Sequence, residues 1–590
     1  MIRCVLVLAL ACPTLLFAQE PIEEHVIVTA HAEEVPYQTL ARTVVVMTHE
    51  ELVRLPARSI ADLLAYASSV DVRSRGVLGV QSDFALRGST FGQALVLVDG
   101  FRLNDAQSGH HNADIPVPIG EIDRIEILFG PGSSLYGADA FGGIINVITR
   151  RDGMRRDVSA VAGQFGFAQL DAGFSASKGA MNESVAISAN RSSGFETDRD
   201  FRALNVSSRT ILGNGTRVWA SHLRKDFGAN GFYGPAPSTE ATNQTLLEVD
   251  GRTPARGVWQ AQWQAGYRTH GDEFLYDPRL NGTPNQHRSH AVVATGRLQR
   301  ALGGMTRLTV GSEIGSDWIR SNNLGNHRLA RGSAFAEVQQ RVGARGFVYP
   351  GLRLDGYSTF GRAWSPSVAA AAWLGKAMKL HASVGRAFRV PTFTERFYVD
   401  PNTLGTSTLS PEHAWSSEAG IDWLPKPGWT AALALFDRHE KDTIDFVRPS
   451  TLVRWQAANT RRVDTRGIEL AVERRMAAVG VVAARYTFIH ASTDPLPLLS
   501  RYVLEFARQS LTLSGSATLP AGFELGQRVD YKQRRSGREY WLVDTRVGRR
   551  IGPATVFVEG SNLLDTEYQE IPGVNMPGRW IRAGFSVAAR

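Results

Sequence analysis

The stretch Asn104–Pro116 concentrates side chains that can hold a polar ligand. His110, His111, Asn112 and Asp114 supply two imidazoles, an amide and a carboxylate. These groups can hydrogen-bond an anionic chelate or ligate a metal. The histidines are adjacent and lack the i, i+4 spacing that sets two ligands on one helix face. With Gly109 and no strand periodicity, the stretch reads as a loop. A polar loop that only packs against its surroundings is the plainer alternative. A second cluster, Glu196, Asp198 and Asp200, puts three carboxylates close together as a candidate Ca²⁺ site. It lacks the Gly and distal Glu of an EF-hand loop, and a solvated acidic loop is the plainer reading. Ser133 and His222 lie in no nucleophile motif, so no catalytic residue is assigned and no enzyme is expected. No cofactor is required.

The elements that must position these groups come in an uneven order. At 590 residues the chain exceeds one ordinary core. With 43% hydrophobic and 21% charged residues, it is not disordered in bulk. Residues 1–18 combine Arg3, an apolar run and a closing Ala18, the pattern of a secretory signal peptide. Both cysteines, Cys4 and Cys12, fall inside it, so the expected mature chain has no disulfide. No later run of about 18 apolar residues could form a spanning helix. The net charge of +8 comes from arginines spread along the chain. They form no basic face interleaved with aromatics, so nucleic acid is not an expected partner.

From 33 to about 150 the chain reads as a small α+β domain. Val44–Met47 is strand-like. Thr48 with Glu51 is a capping box, and Ser59 with Asp62 caps a second short helix whose apolar face is Ile60, Leu63 and Leu64. Asp83–Gly88 and Ala94–Gly100 read as strands, with Asp99-Gly100 a hairpin turn. Ile122–Phe129 and Ile144–Thr149 flank a Gly-rich turn without the spacing of a phosphate loop. From Arg151 onward, short segments alternate apolar and polar between turns. In Gly467–Glu473, for example, Ile468, Leu470 and Val472 alternate with Gly467, Glu469 and Glu473. An amphipathic sheet in a bilayer must close, because unpaired edges cost several kcal/mol per group. Polar stretches at 226–238, 272–290, 320–330, 398–412 and 440–456 read as external loops. Phe232 and Tyr233 in the first of them are candidate ligand contacts, with an interfacial girdle as the commoner role.

The run Glu121–Thr149 resembles the end of the plug domain of TonB-dependent outer-membrane receptors, position by position through Gly130-Pro131, Tyr136-Gly137 and Gly142–Thr149. Arg87-Gly88 and Leu97–Leu103 match further plug motifs. Arg386–Glu395, Leu409–Glu418, Asn562–Tyr568 and Pro577–Arg579 match barrel motifs of that family. The resemblance implies a plug at 33–150 inside a large antiparallel transmembrane β-barrel of 22 strands at 151–590. It also implies a periplasmic segment at 19–32, in which Glu24, His25, Val26, Ile27, Val28, Thr29 and Ala30 resemble the TonB box. Such a strand can add to a sheet edge of a partner, here TonB with its inner-membrane energising complex. Where the family has Arg before Gly130, this chain has Phe129, which leaves Arg124, Glu126, Glu395 and Glu418 as candidate plug–barrel contacts. The family's terminal aromatic is also missing, with Phe585 the nearest. Cobalamin receptors of the family can hold Ca²⁺ on loop aspartates, which bears on Glu196, Asp198 and Asp200. The implied function is active import of a scarce large solute by a monomer embedded in outer-membrane lipid. A ferric siderophore leads, cobalamin is the alternative, and a passive porin is the rival from another class.

Overall fold

The computed structural model describes residues 27–28, 35–151, 155–253, 259–476, 479–494 and 497–588. The expected signal peptide, and Glu24, His25, Val26, Thr29 and Ala30 of the TonB-box segment, lie outside the described residues. The first described element, β1 (Ile27–Val28), pairs antiparallel with β2 (Val35–Pro36).

The plug is built around a five-stranded mixed sheet. Its strands are β3 (Val44–Thr48), β6 (Ala94–Val98), β7 (Phe101–Arg102), β8 (Ile122–Phe129) and β9 (Gly143–Thr149), in the order β3-β8-β9-β6-β7. A separate hairpin joins β4 (Val70–Ser74) to β5 (Ser82–Leu86). β6 is a continuous apolar run and β9 is interrupted only by Asn146; they pair in parallel and are buried throughout, as strands covered on both faces must be. The two-residue turn between β6 and β7 is Asp99-Gly100, with φ of +49° and +85°. Both values are left-handed, which is why the turn falls on Asp-Gly. Helices α1 (His49–Leu52) and α2 (Ile60–Leu64) start on the capping boxes of Thr48 and Ser59. α2 buries Ile60, Leu63 and Leu64 against the sheet.

Among the described residues the barrel closes from 22 long antiparallel strands, with the short pairings Thr403–Leu404 and Leu499–Ser500 added at one rim. Trp580–Ala588 closes it against Arg156–Gly163, and Phe585 lies opposite Ala160, facing outward. Alternation sorts the wall into two faces. Ile468, Leu470 and Val472 point out while Glu469 is buried inside. Exposed tryptophans form two belts. Trp259, Trp263, Trp423 and Trp429 mark the rim that carries both ends of the barrel chain, and Trp364, Trp415 and Trp541 mark the far side. Two of the loops are shorter than their polar sequence suggests. Trp259–Leu275 and Asn285–Ala301 leave only 276–284 between them, and Thr306–Ser321 turns directly into Gly325–Val342. Polar residues there belong to wall that continues past the apolar belt, where neither face needs to be oily.

Candidate functional site

Three zones of the plug carry chemistry. The first lies at the far rim. β4 and β5 lift Arg73, Arg75 and Asp83 toward it, and the loop after β7 brings in His110. His110 Nδ1 is 2.7 Å from Asp83 Oδ1, and Arg75 Nη1 donates to Asp83 Oδ2 at 3.1 Å. The His110 ring stacks on Phe91 at 4.1 Å, and Tyr502 meets both rings edge-on at 5.2 and 5.6 Å. Burial alone would raise the Asp83 carboxyl, but His110 and Arg75 hold it well below the usual carboxylate range. Burial outweighs Asp83 at His110 and keeps that imidazole below its ordinary value. Arg73 lies over Phe91 at 5.9 Å and donates Nη1 to the Glu505 carbonyl at 2.9 Å. Its Nε and Nη2 are buried and make no hydrogen bond within the protein. Arg501 flanks Tyr502 at 5.2 Å. The result is a step of three aromatic rings between cations.

The structure separates the predicted loop residues. Of the four, only His110 reaches this step. Asn112 braces the loop, with Oδ1 accepting from Asp105 N and Nδ2 donating to Phe91 O. His111 and Asp114 turn to the wall, where His111 Nε2 is 3.4 Å from Asp272 and Asp114 pairs with Lys225 and His270. Burial opposes charge on His111, yet the Asp272 hydrogen bond and the carboxylates of Asp272, Asp105 and Asp114 raise it to about 9. Phe232 and Tyr233 are also not presented to the rim. Phe232 is buried beside Val80 and Phe227, under the Arg199 guanidinium at 4.5 Å. The Tyr233 hydroxyl donates to Glu240 at 2.9 Å and accepts from Gln81. An amphipathic ring gains more by burying its face and satisfying its hydroxyl than by standing in water. Glu196, Asp198 and Asp200 are exposed, and their ligand atoms do not converge on one point. Glu196 turns to Arg199 at 3.7 Å and Asn575 at 3.3 Å.

The second zone is the lock between plug and wall. Arg87, just after β5, donates Nη1 to Glu418 at 2.5 Å, and Nε and Nη2 to Glu469 at 2.8 and 2.5 Å. The other oxygen of Glu418 accepts from Thr43 N and Oγ1 at 2.9 Å each. Phe129 and Phe436 lie along the guanidinium at 5.0 and 4.5 Å. At the position where the resemblance expects an arginine, Phe129 therefore supplies a π-face to an arginine from the turn after β5. Arg124 corrects the expectation: its ion pairs are to Asp123 and Glu126, inside the plug, because β8 aims all three at one patch. Glu395 caps α4 (Phe393–Phe397) through Thr392 and pairs with Arg389, all on the barrel chain. It reaches the plug only through the backbone it orders, where Phe393 N and Thr394 N donate to Ala106 O and Gln107 O. Sequence reasoning missed Arg58–Glu559, Asp71–Arg534, Asp105–Arg268 and Asp99–Arg217. Arg87 and Asp99 stood inside quoted motifs, and that was the available signal. The third zone is the β1–β2 ribbon that precedes the plug sheet in the chain and carries Ile27 and Val28 of the expected TonB-box segment.

Comparison with known proteins meets this geometry at both domains. A TonB-dependent receptor plug-domain family model matches residues 36–144, and a TonB-dependent receptor-like β-barrel model matches residues 151–563. The chain belongs to the TonB-dependent receptor family. It is therefore an outer-membrane β-barrel, with the ends of the barrel chain at the periplasmic rim and the aromatic step at the external one. Solved structures of the family share the fold. The siderophore receptor PirA from Pseudomonas aeruginosa matches with TM-score 0.74 at 20% identity over 93% of this chain and 99% of its own. The ferric enterobactin receptor PfeA from the same organism, a mutant in complex with enterobactin, gives 0.76 at 16% over 93% and 100%. The pyoverdine receptor FpvA from P. aeruginosa, bound to pyoverdine, gives 0.79 at 14% over 95% and 96%. Among the described residues no helix is long and apolar enough to cross a membrane, as a receptor that crosses with strands requires none.

Proposed function

We propose that this receptor imports a ferric siderophore, and that its cargo docks on the step formed by Phe91, His110 and Tyr502 between Arg73 and Arg501. The observation that carries the reading is the aromatic step with the Arg73 guanidinium beneath it, whose two unengaged donor nitrogens are enclosed until the His110 loop moves. An anionic chelate with planar aryl groups uses both features, taking hydrogen bonds from the cation and stacking on the rings. The names of the solved relatives point the same way. Docking energy then disturbs the plug loop that carries His110. The TonB box, Glu24–Ala30, is engaged by TonB through strand addition, and the pull displaces the plug. No residue of the step is assigned a catalytic role.

The test is a titration of intrinsic Trp fluorescence in purified receptor with a panel of ferric siderophores and with cobalamin. One ferric chelate is expected to bind saturably, and Arg73→Ala and Tyr502→Ala to weaken it at least tenfold. Exclusive binding of cobalamin overturns the cargo assignment. Deleting 24–30 is expected to abolish uptake while leaving this binding intact.

A further inference from the structure

Beneath the aromatic step, His111 and Asp114 of the plug face His270 of the wall strand Trp259–Leu275. Among the described residues this is the one group whose three ligand atoms all lie within 4.8 Å of one another, and all three residues are buried. We propose that His111, Asp114 and His270 bind a divalent transition cation such as Zn²⁺, and that the ion clamps the plug to the barrel wall.

The donor set selects the metal class. Two imidazoles with one carboxylate suit Zn²⁺ with an open fourth position, whereas Ca²⁺ and Mg²⁺ prefer all-oxygen shells. His270 Nε2 and Asp114 Oδ2 are now 2.8 Å apart. Tetrahedral Zn²⁺ with bonds of about 2.0–2.1 Å needs ligand atoms about 3.3 Å apart, so a small parting admits the ion. His111 also has a carboxylate beside its Nε2, the arrangement that orients a metal-bound histidine. Asp272 lies 3.4 Å from His111 Nε2, and Asp105 lies 3.9 Å from His270 Nδ1. His270 is wholly buried, and its Nδ1 has no hydrogen-bond partner in the protein, nor has Asp272 Oδ1. The carboxylates of Asp105, Asp114 and Asp272 crowd around the group, with Lys225 on Asp114 and Arg268 on Asp105. Binding replaces the His270–Asp114 hydrogen bond by two metal bonds, and any proton on the ligating nitrogens leaves to solvent. Because one ligand comes from the wall and two from the plug, the bound ion joins the two domains. The inference does not depend on which cargo the receptor carries.

The test uses full-length receptor in detergent, stripped with chelator and titrated with Co²⁺, followed by competition with Zn²⁺. The expected result is saturation at one equivalent with intense visible d–d absorption, displaced by Zn²⁺. His111→Ala and His270→Ala are each expected to abolish the spectrum, and Asp272→Asn to weaken binding about 10–100-fold as a positioning residue. His290→Ala, whose ring stacks on Trp318 at 4.9 Å on the outer wall, is expected to change nothing. Heat-modifiable migration checks that each variant is folded. If His270→Ala does not fold, His270→Cys keeps a ligand and is expected to add a thiolate-to-cobalt charge-transfer band. The proposal is overturned by a wild-type receptor that gives no such spectrum, or by a spectrum that survives both histidine variants.

Discussion

Arg87 and Arg73 are both plug arginines, both nearly inaccessible, and they do opposite things. Arg87 spends its guanidinium on two barrel carboxylates and lies between two aromatic rings. Arg73 spends one nitrogen on a carbonyl and leaves two unengaged beneath the external rim. A fully paired buried charge has little left to offer a ligand, and removing a partner exposes its whole desolvation cost. A buried charge with donors to spare is already desolvated and prepaid for an incoming anion. On the proposed reading, the plug divides into a part that holds and a part that receives.

The sharpest way to break this contrast is Arg87→Ala. It strips Glu469 of its guanidinium, leaves Glu418 with only Thr43 and His381, and should weaken plug retention by ~3–5 kcal/mol. Denaturant release of the plug and open-pore conductance in planar bilayers both measure it. Conductance no higher than wild type would place the holding function elsewhere. Asp71→Asn should cost less, ~1–3 kcal/mol, because Arg534 keeps Glu570 at 2.6 Å. This contact also carries a pH signature. Burial alone would raise the Asp71 carboxyl, but Arg534, with Lys532 and Arg73, draws it down to about 2. A depressed carboxylate contributes fully above its unfolded value of about 3.9, and the contribution is lost as pH falls through the folded value. Plug retention in wild type should therefore drop between about pH 4 and pH 2 more than in Asp71→Asn. The smallest stability effect is expected at the receiving end. Arg501→Ala should change plug retention by less than ~0.5 kcal/mol while weakening chelate binding at the step. Equal losses in both would erase the division.

Local signals in the sequence reached the plug's elements. Capping boxes at Thr48 and Ser59, the Asp99-Gly100 turn and the apolar runs of β6 and β9 each depend on a few neighbouring residues. Period-two alternation also declares inside and outside, so Ile468 and Glu469 were separable at sight. The inner contacts were not, because they join residues hundreds of positions apart: Arg87 meets Glu418 across 331 residues and Asp71 meets Arg534 across 463. Inward alternation makes every such carboxylate a candidate, and only strand register chooses among them. The His110–Asp114 loop failed for a related reason. Its composition announced polar chemistry, but which of its side chains faced rim, loop or wall depended on partners from other strands. Phe232 and Tyr233 read as ligand contacts or girdle residues because they stand in a polar loop, whereas this loop folds inward onto the plug.

The barrel is far from uniform in height. The described strand Arg156–Gly163 has 8 residues and its neighbour across the closure, Trp580–Ala588, has 9, against 22 in Trp455–Met476. Eight residues rise about 26 Å along the strand, or about 20 Å once tilted by some 40°, against an apolar band of about 25 Å. On that side the described strands fall short of the bilayer, and lipid is expected to thin to meet them. Depth-dependent quenching of probes beside Phe585 and beside Ile314, on the tall wall, reads the difference. The receptor would then sit as a tilted notch in the membrane, with its thinnest lipid beside the one junction where the two ends of the barrel chain are joined by hydrogen bonds alone.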